Sequence, residues 1–310
     1  MARLLFLHVF GPGLLGLIAA LALVMVRRVR SPRLQAVGAV RGWTITGALL
    51  AVIGLAGPTA IGMGDLLHLP LPRLPPGFVY SDYRFIAPLA TGFVAVLALT
   101  LPVVRRTGAG TAELARRTVA RFAPRPWFRA AVVTVAVILA LTTLTGLVSR
   151  PDPDGRYTAY WVDFGASAFG TTIYGWHFSI PCLVALAILS GGALSTTALI
   201  ARPPLASDRG RDVAVRVWRT RNTLAMTVGS LLLHLSVILS SLYGVASVRG
   251  SANTDHGAFH FGTPLESLAG ALQMASAATA AAGWFCWFVV LFAAAIGPSP
   301  VRVLPSRSRG

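Results

Sequence analysis

Seven apolar stretches, each long enough to cross a bilayer, alternate with segments that are arginine-rich at every second turn. That pattern leaves few folds open. A spanning helix needs roughly 20 mostly apolar residues, and stretches at about 4–26, 43–63, 86–104, 130–148, 177–200, 222–246 and 274–296 meet the requirement. Only 12% of the residues are charged, against about 25% in a soluble domain. Backbone polar groups in lipid must be satisfied internally, which favours helices for runs of this length. The expectation is therefore an all-α integral membrane protein, a bundle of about seven transmembrane helices forming one polytopic domain over 1–297, with a short basic tail at 298–310.

Short loops rich in arginine stay in the cytoplasm. Of the 27 basic residues, 21 fall in segments 27–42, 105–129, 201–221 and the tail, and six fall in the alternate set. This predicts an outside N-terminus, a cytoplasmic C-terminus and a plasma (inner) membrane location. The first span should be retained, since its apolar run is longer than a signal peptide's and ends in arginines. A net charge of +17 follows from the same asymmetry and forms no basic soluble domain, so nucleic acid is not an expected partner. The lipid bilayer is, with anionic lipids at the cytoplasmic face.

Every basic residue is arginine. Without lysine the chain can form neither a retinal or pyridoxal Schiff base nor a P-loop, so any ATPase would be a separate chain. All ten carboxylates lie in loops or at span ends, which disfavours carboxylate-driven antiport and intramembrane aspartyl proteolysis. HExxH and GxSxG are absent; Gly165, Ser167 and Phe169 come nearest to the latter. Asp152, Asp154 and Gly155 form only a fragment of a calcium loop, and the cofactor is unknown. Cys182 and Cys286 belong to opposite halves of the bilayer and are expected to be packing residues.

The six histidines all lie in the outer half or beyond it. Asp255, His256 and His260 form the candidate metal group, His256 and His260 having the i, i+4 spacing of two ligands on one helical face, although Gly257 and Gly262 favour an irregular loop. His234 stands about 20 Å into a core of about 30 Å. With no carboxylate on its own helix it should be neutral, bonded to Ser230 or to hydroxyls such as Thr142 or Thr143.

Thr223, Thr227, Ser230, His234 and Ser241 form one helical stripe in span six, either bonding across helices or lining a substrate path. Two basic segments, 111–122 with Arg116, Arg117 and Arg121, and 212–219 with Arg216 and Arg219, read as amphipathic surfaces for anionic lipid or a cytoplasmic partner. The approaches to spans two and six are alike, suggesting that spans one to three repeat as five to seven with span four as a linker.

The functional expectation is a membrane component of a transport or envelope-assembly system, working with a partner such as an ATPase or other membrane subunits. An outward-facing metal- or haem-handling protein and a membrane enzyme on lipid-linked substrates are the alternatives.

Overall fold

The computed structural model describes residues 2–30, 38–66, 80–101, 125–164, 167–201, 209–254 and 257–296. Seven long helices follow the apolar runs: α1 Ala2–Arg30, α2 Gly38–Leu66, α3 Tyr80–Thr100, α4 Arg125–Val148, α5 Trp176–Ala201, α6 Arg209–Ala246 and α7 Ala269–Ile296. Each is long and apolar enough to cross a membrane. The expected helical bundle is what the chain forms, with seven helices long and apolar enough to be the expected spans, and α6 begins well before the expected start at 222. The basic segment 212–219 is thus the first part of a spanning helix.

Two connections are β-hairpins. Between α4 and α5, β1 (Arg150–Pro151), β2 (Tyr157–Phe164) and β3 (Ser167–Thr172) form an antiparallel sheet in that order. Between α6 and α7, β4 (Arg249–Thr254) pairs with β5 (Gly257–Gly262). Tyr157, Thr158, Tyr160, Trp161 and Val162 are good strand formers, and Trp161 lies over Gly170 of the paired strand, where a Cβ would come within 2.8 Å of the indole. The irregular loop expected from Gly257 and Gly262 is corrected: they are the first and last residues of β5.

The bundle is organised around α6. Helices α3, α4, α5 and α7 all pack on it, and a second set of pairings exchanges the two ends of the chain. Helix α2 packs on α3 as α6 packs on α7, α1 on α7 as α5 on α3, and α2 meets α7 as α6 meets α3. The close approaches follow the same rule: a Cβ on Gly47 would lie 2.9 Å from the Ala95 carbonyl of α3, and one on Gly229 would lie 3.0 Å from the Gly283 carbonyl of α7. This arrangement fits a repeat of spans one to three in five to seven. Helix α4 breaks the exchange by covering α6, which makes α6 the most buried helix while α1 stays peripheral.

Candidate functional site

The polar stripe of α6 faces inward along its whole length. Thr223, Thr227, Ser230, His234 and Ser241 are all buried. Their hydroxyls turn mostly to their own helix: Thr223 donates to the Arg219 carbonyl at 3.1 Å, Thr227 to Thr223 at 2.9 Å and Ser230 to Met226 at 2.8 Å. A buried hydroxyl has one proton, and the preceding-turn carbonyl is the acceptor that helix geometry supplies. The expected hydroxyl bonds across helices are corrected for these three residues. Cross-helix bonds come instead from α7, where the Trp287 indole donates to Met226 at 3.1 Å and Ser276 donates to the Ser236 carbonyl at 2.9 Å. Ser230 packs so closely on α3 that a Cβ on Gly92 would overlap its hydroxyl.

His234 is the polar centre of one end of the bundle. Its Nδ1 lies 2.8 Å from the Phe85 carbonyl of α3. A carbonyl only accepts, so Nδ1 carries the proton and, in the neutral ring, Nε2 is left as acceptor. The Tyr174 hydroxyl faces Nε2 at 3.5 Å, a long and weak contact. Ser230 and Thr143, which donate to their own helices, are not the partners of this ring, contrary to expectation. Aromatic packing fixes the rest, with the Phe85 ring 4.9 Å from Tyr174 and 4.7 Å from Phe178. Burial pushes the Tyr174 phenol above its ordinary range, so it stays protonated. Thr142 reaches the same region, its buried hydroxyl beside the Tyr174 phenol.

At the opposite end, arginines reach helix carbonyls. Arg41 of α2 donates from Nε to Ala294 at 2.7 Å and from Nη2 to Ala295 at 2.6 Å, capping α7. Arg216 donates from Nη1 to Ile200 at 2.9 Å and Ala201 at 2.7 Å, capping α5. Arg219 donates from Nη2 to Leu99 and Thr100, each at 3.0 Å, capping α3. The last carbonyls of a helix lack intrahelical donors and carry its negative dipole end, which a planar guanidinium answers well. Arg216 and Arg219 are 0% and 5% exposed, so the expected lipid or partner surface is corrected for these two. Arg116, Arg117 and Arg121 lie outside the described residues.

The expected metal group is not assembled among the described residues, where no three His, Cys, Asp or Glu side chains converge. His260 belongs to β5, paired with Ser251, so the helical-face geometry does not apply; Asp255 and His256 lie outside the described residues. Asp152 is a turn organiser. Its Oδ1 accepts from the backbone N–H of Asp154 at 2.9 Å and Arg156 at 2.8 Å, and its Oδ2 from the Thr158 hydroxyl at 2.9 Å. The Arg156 N–H is foremost among the influences that hold this carboxyl below its usual range. Cys182 and Cys286 are free and buried.

A direct sequence signal for the hairpins is a repeated motif. Asp163, Gly165, Ala166, Phe169, Gly170 and Thr171 recur, at identical spacing, as Asp255, Gly257, Ala258, Phe261, Gly262 and Thr263. Both copies fall where a hairpin joins two spanning helices.

Comparison of the chain with protein-family models, with curated proteins and with solved structures finds no match.

Proposed function

We propose that the protein is a non-catalytic component of a transport or envelope-assembly system in a bacterial-type plasma membrane, oriented with its N-terminus and hairpins outside. Its role is that of a rigid membrane scaffold that acts through partners, either other membrane subunits or a cytoplasmic ATPase. The observation that carries this reading is the state of the α6 stripe. Thr223, Thr227 and Ser230 are buried and direct their hydroxyl protons to their own helix, so these groups support a packed post better than a substrate path. A path for any substrate would then lie at an interface with another subunit. Bonds from Trp287, His234 and three arginines tie helices to one another, which suits a scaffold.

Purification of a tagged chromosomal copy from its native membranes tests the proposal. A stoichiometric partner should extract with the protein in mild detergent. A chain that extracts alone, and that by itself moves a solute across reconstituted vesicles, would contradict it.

A further inference from the structure

Arg219 and Arg41 occupy exchanged positions in the bundle, yet they use their donors differently. Arg41 places Nε on one carbonyl and Nη2 on the next. Arg219 sends Nη2 to both of its carbonyls, and its Nε is buried with no acceptor. One helical turn further along α6, Asn222 Nδ2 is also buried with no acceptor. Each side chain is 5% exposed, and the fully buried Arg216 guanidinium sits one turn before Arg219. Residues three apart on a helix share a face, with Cβ atoms about 5–6 Å from each other.

A buried donor without an acceptor costs free energy, and a buried cation answered only by carbonyl oxygens costs more. Both conditions hold here for adjacent groups. A neutral acceptor could relieve one donor, whereas an anion with two or more oxygens relieves both and balances charge. Phosphate oxygens accept strong charge-assisted bonds from guanidinium groups. We propose that a phosphate group binds at this end of α6, accepting from Arg219 Nε and Asn222 Nδ2. This is a discrete seat, distinct from a diffuse basic surface. In the expected orientation it lies at the cytoplasmic headgroup level, where a phospholipid phosphate is at hand; free inorganic phosphate shares the chemistry.

Full-length protein, stripped of lipid in a neutral detergent, provides the test through its thermal unfolding midpoint. Phosphatidylglycerol, a phosphate-free diacylglycerol glycolipid and inorganic phosphate are added separately to wild type, Asn222→Leu and Asn222→Asp. Phosphatidylglycerol should raise the wild-type midpoint, and Asn222→Leu should need roughly tenfold more of it, the loss of one charge-assisted bond. Asn222→Asp supplies its own anion beside Arg219, so it should be raised without lipid and respond little to it. An equal rise with the phosphate-free glycolipid would reflect general lipid solvation and overturn the proposal. The same pattern with inorganic phosphate alone would assign the seat to the free anion. No rise in wild type with either phosphate source, or full phosphatidylglycerol responses in both variants, would also overturn it. Should Asn222→Leu fail to fold, Asn222→Asp decides alone.

Discussion

His234 of α6 donates from Nδ1 to the carbonyl of Phe85 in α3, 2.8 Å away, which joins the central helix to the first half of α3. The bonded nitrogen is the one nearer the backbone, and this selects the conservative replacement. An asparagine amide nitrogen stands at the Nδ1 position, whereas a glutamine amide reaches toward Nε2. His234→Asn should retain most of the stability of the purified protein. His234→Leu should cost about 1–3 kcal/mol, read as a lowered thermal midpoint, with Gln between them. A Leu variant as stable as wild type would show that the bond contributes nothing.

Gly283 and Gly229 face each other where α6 and α7 pack. A Cβ on Gly283 would lie 2.9 Å from the Gly229 carbonyl and 3.0 Å from the Leu233 backbone nitrogen, and backbone atoms cannot step aside as a side chain can. Gly283→Ala should destabilise by roughly 1–3 kcal/mol. Gly191→Ala in α5, at a position open to at least 4 Å, should be neutral or slightly stabilising. Thermal unfolding of the two variants side by side checks the contrast.

Asp152 gives the first hairpin a pH dependence. Hydrogen bonds to the carboxylate lower its pKa in the folded turn, so their contribution is complete above the ordinary carboxylate range. It is lost as the pH falls through the lowered folded value. Protection of the Asp154 and Arg156 amides, taken as exchange relative to the intrinsic rate at each pH, should therefore fall in acid, and Asp152→Ala, which keeps no side-chain acceptor, should show the low protection already at neutral pH. Equal protection in both proteins at neutral pH would contradict the assignment.

The apolar runs made the seven helices legible, since length and hydropathy alone decide whether a segment can span. What surrounds the helices was less so. The 111–122 and 212–219 segments have the same basic amphipathic pattern, yet Arg216 and Arg219 turn inward because the ends of α5 and α3 present carbonyls there. Helical periodicity places residues on a face; it does not say what meets that face. The partner of His234 was hidden for a related reason, since a backbone carbonyl 149 residues away leaves no trace in side-chain spacing. The hairpins did leave one, the repeated Asp-x-Gly-Ala-x-x-Phe-Gly-Thr, although glycine at such positions suits an irregular loop as well as a strand end.

Orientation is open to cysteine labelling. In a variant with Cys182 and Cys286 replaced, a cysteine at Asp154, exposed beside the hairpin, should react with an impermeant reagent applied outside. One at Gly110, outside the described residues, should react only after permeabilisation. The reverse pattern would invert the proposed topology.

The claim that α6 is a packed post is tested most directly by removing its hydroxyls in the native host. Thr223→Val, Thr227→Val and Ser230→Ala, combined in one chain, delete only bonds that each residue makes to its own helix. Complementation of the deletion strain is the measurement, with the yield of folded protein as its control. Full restoration of the wild-type phenotype is the predicted result. Loss of function in a variant that still folds to the wild-type yield would mean that the stripe lines a path, and would contradict the account.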